Sequence, residues 1–369
     1  MVISANDLLQ MTVDRDASDL HIGTERPPYM RIDGSLTPTE LPILTEVDVL
    51  KLGRELLTAK REHVLEEHDE YDFSYQLPNA EGRFRVNFFR QKGTPAFAIR
   101  FIKPEVPSFD QLKLPHAIAN LWHLKRGIAI VTGTTGSGKS TTLAALLSKI
   151  NEERSDHILT LEDPIEYSLF DRKSIVNQRE IGLDTDDFGS GLKVAMREDP
   201  DVILIGEMRD QETISAALKA GITGHLVFST LHTLNVVQTI NRIIEYFPAD
   251  FQQQIKIMLG TTLQAIISQR LLPRVGGGRV PACEILICNA RVSEKISEEP
   301  ELSMLNTIME EDELDGMQTF DQHLLELYTS QKIEHDTALA AATSPHDFKI
   351  LLQRASGVRK AKNTYTGGL

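Results

Sequence analysis

Cysteine, aromatic side chains and long apolar runs are all scarce in this chain of 369 residues. Its two cysteines, Cys283 and Cys288, are too few for a zinc site or a disulfide framework, so we expect both to be reduced packing residues. Apolar stretches such as Gly127–Thr132 fall far short of the roughly 20 residues that span a bilayer. The polar start MVISANDLLQMTVDRD lacks the pattern of a signal peptide. These absences predict a cytoplasmic protein without direct membrane insertion.

Positive charge is scarce as well, because 39 Lys and Arg residues face 53 Asp and Glu residues, for a net charge of −14. This excess argues against binding to nucleic acid or to an anionic membrane through the overall field of the protein. The last basic cluster, Arg359 to Lys362, lies in a tail at 356–369 that we expect to be flexible. A hydrophobic fraction of 41% is nevertheless typical of a globular chain, and the length suffices for two domains.

The first hundred residues predict a small α+β domain with bounds of 1–102. A helix near Asn6–Val13 and a second helix capped by Thr45 accompany several short alternating segments. The pair Asp33 and Gly34 is typical of a two-residue hairpin. A proline-bearing stretch then predicts an interdomain linker at 103–115. The other predicted strands of this domain are Asp19–Ile22, Tyr71–Tyr75, Arg83–Arg90 and Pro95–Ile102.

From about His116 the pattern changes to short apolar strands that alternate with helices. Continuous apolar runs of this length are typical of strands covered on both faces, as in a parallel sheet. We therefore predict an α/β domain at 116–290, followed by a helical region at 291–355. The predicted strands are Gly127–Thr132, His157–Glu162, Asp201–Gly206 and His225–Thr230.

A phosphate-binding loop is predicted by GTTGSGKS at Gly133–Ser140, which fits G-x-x-x-x-G-K-[ST]. It follows a predicted strand and opens a helix at Lys139–Ile150, which is the context that the motif requires. In such a loop backbone N–H groups surround phosphates, Lys139 reaches the β- and γ-phosphates, and Ser140 offers a hydroxyl to Mg²⁺. The candidate ATP-binding residues are Gly133, Thr134, Thr135, Gly136, Ser137, Gly138, Lys139, Ser140 and Thr141.

A catalytic carboxylate is predicted at the end of DVILIGE, where Glu207 can hold Mg²⁺ through water or activate the attacking water. Many P-loop enzymes have an aspartate just before this position, but Gly206 stands there, so a second carboxylate must come from elsewhere. The predicted strand HILTLE ends at Glu162, and the carboxyl ends of strands in an α/β sheet gather at one edge. We therefore expect Glu162 to lie beside the P-loop and Glu207.

For several other polar residues the sequence allows either a structural role or a functional role. Asp163 and Glu166 follow Glu162 in TLEDPIEY and either contact cationic partners or form a solvated turn. His225 and His232 bound an apolar strand, where they either hold loops through hydrogen bonds or sense the γ-phosphate, a role for which His232 is better placed.

The arginines on predicted strands of the N-terminal domain can likewise have a structural role or a functional role. They either cover a solvated sheet face or supply positive charge to phosphates. These arginines are Arg83, Arg85, Arg90 and Arg100.

The segments ASDLHI, RFRVN, GTTGSGKST, TLEDPIEY, MREDPDVILIGEMRD and TGHLVFSTLHT occur in the order found in type II/IV secretion ATPases. Over nearly its whole length the chain resembles the PilT/PilU-type retraction ATPases of type IV pili. The resemblance implies a PAS-like N-terminal domain, a RecA-like ATPase domain and a homo-hexamer in which ATP hydrolysis, with Mg²⁺, drives retraction and twitching motility through domain rotation.

The resemblance also implies roles for individual residues and partners. Arg85 and Arg100 would contact nucleotide phosphates, with catalytic roles beside Lys139, Glu162, Glu207 and His232. The expected partners are an inner-membrane platform protein of the pilus machine, which would hold the ATPase peripherally at the membrane, and a paralogous retraction ATPase.

The chain departs from this family's pattern at three places. Thr134 replaces a usual proline, Ile222 replaces a usual glutamate, and Ala290–Ser297 reads ARVSEKIS where A-I-R-N-L-I-R is typical of PilT. The last segment is tied to retraction in the family. Since GMQTFDQHLLELY and PSFDQLKLP favour PilU-like accessory proteins, PilT-like and PilU-like roles both stay open.

Three other functions compete with retraction. Extension or secretion ATPases of the same superfamily usually carry a longer N-terminal region and a four-cysteine zinc insert, whereas LPRVGGGRVPACEIL has no cysteine pair. The acidic balance speaks against a DNA-processing ATPase. The presence of Lys139, Glu162 and Glu207 speaks against a scaffold that binds ATP without hydrolysing it.

Overall fold

The computed structural model describes residues 3–32, 34–57, 63–78, 82–102, 105–298 and 302–354. Contacts divide the chain into two compact units whose bounds differ from the predicted domains. The first is Met1–Glu105 with Asp163–Phe170, and the second is Val106–Glu162 with Asp171–Leu369. The predicted linker is thus split between the units, and the predicted helical region at 291–355 belongs to the same unit as the α/β core. The tail at 356–369 lies outside the described residues.

The first unit contains, in its described residues, one sheet of six strands. Its strands are β1 (Asp19–Gly23), β2 (Tyr29–Ile32), β3 (Ser35–Pro38), β4 (Glu70–Gln76), β5 (Arg83–Gln91) and β6 (Thr94–Ile102), and its helices are α1 (Ala5–Asp14), α2 (Glu46–Leu56) and α3 (Val64–Glu67). The strands pair in the order β3-β2-β1-β6-β5-β4, and every pairing is antiparallel. The predicted hairpin is confirmed by the β2–β3 pairing, although Asp33 itself lies outside the described residues.

Alternation along β5 explains how this sheet faces its core. Phe84, Val86 and Phe88 are buried, while the residues between them are partly or largely exposed. The buried side chains pack with Val49 and Leu52 of α2 in one apolar cluster.

The second unit is built around a largely parallel sheet. Its strands are β7 (Gly127–Thr132), β8 (His157–Glu162), β9 (Ile175–Glu180), β10 (Val202–Ile205), β11 (Leu226–Leu231), β12 (Leu263–Pro273) and β13 (Arg279–Ile287). They pair in the order β13-β12-β7-β11-β10-β8-β9, and only the β12–β13 pairing among these strands is antiparallel. All residues of β7, β10 and β11 are buried, which confirms the prediction of strands covered on both faces.

Helices cover this sheet and extend to the end of the described chain. They are α4 (Phe109–Leu112), α5 (His116–Ala119), α6 (Lys139–Glu153), α7 (Phe188–Ala195), α8 (Gln211–Ile222), α9 (Val236–Glu245), α10 (Ala249–Thr262), α11 (Ala290–Glu298), α12 (Met304–Glu311), α13 (Phe320–Thr329) and α14 (His335–Ala341), with 3₁₀ turns at Asn120–His123 and Glu313–Asp315. Residues 345–354 are also helical. Within the described ranges, no helix is both long enough and apolar enough to cross a bilayer.

The sequence analysis did not predict three strands of the second unit, which are β9, β12 and β13. α10 ends at Thr262 and β12 begins at Leu263 without an intervening turn, so the apolar pattern shows no break between helix and strand. Cys283 lies buried on β13, and both cysteines are free thiols as predicted. Burial raises the pKa of Cys288 to about 12 and that of Cys283 further, so both stay protonated at neutral pH.

The capping box of α2 provides a test of the first unit. The Asp48 N–H donates to Thr45 Oγ1 at 3.3 Å, and the Thr45 N–H donates to Asp48 Oδ2 at 2.9 Å. We expect Thr45→Ala to lower the free energy of unfolding by about 1 kcal/mol, measured by denaturant titration. Thr45→Ser keeps the hydroxyl and should retain most of the stability. Equal stability of Thr45→Ala and wild type would mean that apolar packing alone holds α2.

Candidate active site

The phosphate-binding loop connects the end of β7 to the start of α6. Its three glycines, Gly133, Gly136 and Gly138, have φ values of +142°, +78° and +93°. A Cβ added at Gly133 would lie 2.3 Å from the carbonyl oxygen of Gln269 on β12, whereas a Cβ at Gly136 would meet nothing within 4 Å. Gly133 is therefore required by a close approach of two backbones, and Gly136 by its left-handed conformation alone.

Lys139 and Ser137 give the loop its polar interior. Lys139 is 8% exposed, and its Nζ donates to the carbonyl oxygens of Gly133 at 2.8 Å and Thr134 at 3.2 Å. The hydroxyl of Ser137 is buried and has no hydrogen-bond partner among the described residues. Because an unsatisfied buried donor costs about 1–3 kcal/mol, a phosphate oxygen that accepted from this hydroxyl would relieve the cost. The loop therefore fits a phosphate group.

A cavity of about 350 Å³ opens on the loop, a volume within the usual range for small-ligand pockets. Five of its lining residues, Gly133 to Ser137, were predicted from the motif. The sequence analysis missed the other lining residues, which lie on β12, on β13 and after β11: Leu234, Gln269, Arg270, Leu271 and Arg279. Arg270 and Arg279 are the basic residues among these, and they lie on strands that the sequence analysis did not predict.

Glu207 follows β10 and is held by two side chains. Its carboxylate forms an ion pair with Arg209 and accepts a hydrogen bond from His232 Nε2 at 3.0 Å. The backbone on either side is fixed by Thr230 of β11, whose hydroxyl donates to the Gly206 carbonyl at 2.6 Å and whose carbonyl accepts from the Met208 N–H at 3.1 Å. The sequence analysis did not single out Arg209 or Thr230.

His232 links Glu207 to the phosphate-binding loop through its charge environment. Burial, and after it the positive charges of Lys139 and Arg209, lower the pKa of His232 below its ordinary value. The imidazole is therefore neutral at pH 7, and its contact with Glu207 is a hydrogen bond from a neutral ring. Since β11 pairs with β7 in parallel, with Leu231 opposite Thr132, His232 and the start of the phosphate loop lie at the same edge of the sheet.

The strand order gives the position of Glu162 in the sheet. β8 pairs with β10, so Glu162 lies at the edge next to the strand of Glu207. β11 and β10 lie between β8 and β7, so the backbone at the end of β8 is roughly 14 Å from that of β7 at the usual strand spacing, and the expectation that the Glu162 carboxylate lies beside the P-loop stays a prediction. Its Oε1 accepts from Thr160 Oγ1 at 2.6 Å and from Gln178 Nε2 of β9 at 3.0 Å.

Gly206 shows why β10 has no aspartate before Glu207. The Gly206 N–H donates to the Leu161 carbonyl at 2.7 Å. A Cβ at Gly206 would lie 3.1 Å from the Leu161 carbonyl oxygen and 3.4 Å from Glu162 Cα. A larger side chain at this position would push β10 away from β8.

His225 lies away from the phosphate loop, at the other end of β11. The ring Nδ1 of His225 lies 3.1 Å from the Ala220 carbonyl and 3.1 Å from Thr223 Oγ1, at the amino end of β11 and opposite to His232. These contacts hold the end of α8 and agree with the structural alternative for His225. Asp163 and Glu166 are exposed and belong to the first unit.

Arg85 and Arg100 face each other on neighbouring strands of the first unit. Like charges opposite one another are destabilising unless they are compensated. Arg85 pairs with Asp72 at 3.4 Å, and Arg100 Nε donates to Asp19 Oδ1 at 2.9 Å, so each guanidinium has a carboxylate neighbour. Both arginine side chains remain largely exposed.

Comparison with known proteins identifies the family. Residues 1–321 match the family described as Type II/IV secretion system protein. The chain belongs to this family. It is 42% identical to the type IV pilus retractation ATPase PilT of Pseudomonas aeruginosa, over 93% of this chain and 99% of that protein. It is also 37% identical to the type IV pilus ATPase PilU of the same organism, over 95% of this chain and 91% of that protein.

A solved structure of this family has the same fold. The crystal structure of the pilus retraction motor PilT with bound ADP superposes with a TM-score of 0.84 at 44% identity, covering 94% of this chain and 98% of that chain. The predicted fold class, a RecA-like P-loop domain preceded by a smaller α+β domain, is confirmed.

The two loop glycines make a matched pair of variants. Gly133→Ala drives a methyl group into the Gln269 carbonyl and should lower nucleotide affinity by about tenfold or more. Gly136→Ala has open space and should cost only about 1–2 kcal/mol of backbone strain, with a smaller loss of affinity. Titration with a fluorescent ATP analogue measures both, and thermal unfolding checks that each variant is folded. Equal affinities of the two variants would contradict the close approach of β12 to the loop.

Proposed function

We propose that this chain is an ATPase that powers retraction of type IV pili. The proposal depends on two groups at the same edge of the second unit's sheet. Lys139 lies within the glycine-rich loop, and the Glu207 carboxylate is held by His232 and Arg209. The similarity to PilT over nearly the full length of both proteins supports pilus retraction as the work done with this chemistry.

The phosphate loop binds the triphosphate in this proposal. Lys139 exchanges its carbonyl partners for the β- and γ-phosphate oxygens, the buried Ser137 hydroxyl donates to another oxygen, and backbone N–H groups at the start of α6 surround the rest. Arg270 and Arg279 line the same cavity and add positive charge. These groups align the γ-phosphate towards the Glu207 carboxylate.

Glu207 acts as the general base and takes a proton from the attacking water. Neutral His232 donates to Oε2, and Arg209 pairs with Oε1, so the carboxylate is fixed in direction. The oxygen donors of Ser140 and Glu207 suit Mg²⁺, with Glu207 acting through water. When bound, Mg²⁺ supplies positive charge to the β- and γ-phosphates.

The assembled motor is proposed to be a cytoplasmic homo-hexamer, held peripherally at the inner membrane by a platform protein. Arg85 and Arg100 supply positive charge to nucleotide phosphates, and loss of the γ-phosphate releases a contact that permits domain rotation. Their exposure and their exchangeable partners Asp72 and Asp19 support this role. Asp163 and Glu166 are the proposed acidic counterparts, exposed as such contacts require.

A PilU-like accessory role is the second candidate. Identity to PilU of 37% over 95% of this chain supports it. The segment that departs from PilT forms α11, which buries Val292 and Ile296 and leaves its remaining residues partly or fully exposed. An accessory ATPase would hydrolyse ATP with the same residues but would assist a paralogous retraction motor.

Carboxylate variants test the hydrolysis mechanism. Glu207→Gln should bind ATP normally and hydrolyse it about 10²–10⁴ times more slowly, because it removes the general base. Glu162→Gln should lose less activity, since Glu162 bonds to Thr160 and Gln178. Lys139→Ala should lose nucleotide affinity, whereas the exposed control Glu310→Gln should retain it. Steady-state phosphate release and nucleotide titration measure both quantities. Wild-type turnover in Glu207→Gln would refute its role as the base.

The biological direction of the motor is tested in the source bacterium. A deletion strain that carries the Glu207→Gln gene should be hyperpiliated and non-motile on surfaces, because pili assemble but are not retracted. The wild-type gene should restore motility in the same background. Bald cells would indicate an extension ATPase, and normal motility with weakened retraction force would indicate the accessory role.

A further inference from the structure

A buried carboxylate lies under the active site and takes no part in the proposed chemistry. Glu284 of β13 is 5% exposed, and its Oε2 accepts the backbone N–H of Val236 at 2.8 Å. Val236 is the first residue of α9, so this N–H is one of the helix donors that has no partner within the helix. The first turn of α9 is thereby fastened to β13.

The same carboxylate is connected to the strand that carries the phosphate loop. Ser268 of β12 lies directly opposite Glu284 in the strand register, and a hydrogen bond from its hydroxyl lowers the pKa of the carboxyl group. The Thr132 hydroxyl in turn donates to Ser268 Oγ at 3.0 Å, in a fully buried setting. Thr132 ends β7 and directly precedes Gly133. A continuous series of hydrogen bonds therefore runs from the start of the phosphate loop to the start of α9.

Burying a carboxylate at position 284 costs free energy. Burial raises the pKa of Glu284 to about 7, against the opposing effects of the Val236 N–H, Ser268 and Arg270. Asp321 of α13 is a further charged group that acts on it, and it raises the pKa as well. An apolar residue of similar volume would avoid this cost but would leave the Val236 N–H buried without an acceptor.

The segment between His232 and Val236 forms a wall of the active site. His232 donates to Glu207, and Leu234 lines the cavity on the phosphate loop. Only three residues separate His232 from Val236, so a shift at Val236 moves the imidazole relative to Glu207. A misplacement of about 1 Å can cost about 100-fold in rate.

We propose that Glu284 is a positioning residue for ATP hydrolysis, which fastens the His232–Val236 segment to the phosphate-loop strand. The proposal rests on the ATPase function proposed above. Glu284 acts through the Val236 N–H and Ser268 and touches neither nucleotide nor attacking water.

The matched control is the contact between His323 of α13 and Cys283 of β13, the residue next to Glu284. His323 is also 5% exposed, and its Nδ1 accepts the N–H of Cys283 at 2.9 Å. Glu284→Leu removes the acceptor of the Val236 N–H at the start of α9. His323→Leu removes the acceptor of the Cys283 N–H on β13. Only the first variant frees the His232–Val236 segment.

The test compares wild type, Glu284→Leu, Glu284→Gln and His323→Leu as full chains. We expect Glu284→Leu to lower kcat about 10- to 100-fold with little change in ATP affinity, because the loop that binds phosphate is intact. Glu284→Gln accepts from Val236 and donates to Ser268, so it should restore most of kcat. His323→Leu should lower the melting temperature to a similar extent but keep kcat. Equal losses of kcat in both leucine variants, or none in Glu284→Leu, would overturn the proposal.

Hydrogen–deuterium exchange separates this proposal from the ATPase proposal. Exchange over 232–236 should accelerate in Glu284→Leu and stay at the wild-type rate in His323→Leu. Unchanged exchange in Glu284→Leu would overturn the fastening, whatever the activity. If exchange is faster in Glu284→Leu but the wild-type protein hydrolyses no ATP, the contact made by Glu284 is supported and the ATPase function is refuted.

Discussion

The close contact between β12 and the phosphate loop is the constraint on which the second unit depends. The Gln269 carbonyl leaves no room for a side chain at Gly133, and the Gln269 side chain accepts from Thr142 of α6 at 2.9 Å. The next residue, Arg270, stacks 3.9 Å from the centre of the Phe320 ring and donates to the Ala341 carbonyl. One strand thus shapes the loop, orients the helix behind it and joins both to the last helices of the chain.

The carboxyl edge of the sheet solves the problem of crowded negative charge by giving each acid its own partners. Glu207 is held by His232 and Arg209, and Glu162 by Thr160 and Gln178. The two acids follow or end adjacent strands, β10 and β8. Gly206 lets the chain after β10 pass close to the end of β8, where a Cβ would lie 3.1 Å from the Leu161 carbonyl oxygen.

Local patterns were sufficient for much of this architecture. Uninterrupted apolar runs located β7, β8, β10 and β11, and the glycine-rich motif located the loop and Lys139. β12 was missed because it continues α10 without a turn, and with it Gln269, Arg270 and Arg279 were missed as lining residues. Strand order is a long-range property, so the number of strands between Glu162 and the loop could not be deduced from its position at a strand end.

The two free thiols, of which Cys283 is buried and Cys288 partly buried, have a practical consequence. With pKa values far above neutrality, Cys283 and Cys288 form almost no thiolate, which is the form that reacts with maleimides, iodoacetamides and peroxide. A cysteine introduced at an exposed position would therefore react much faster than either native one. Spin labels or fluorophores could therefore be attached at introduced cysteines without first replacing Cys283 and Cys288. Distances between such labels could then be followed during a nucleotide cycle.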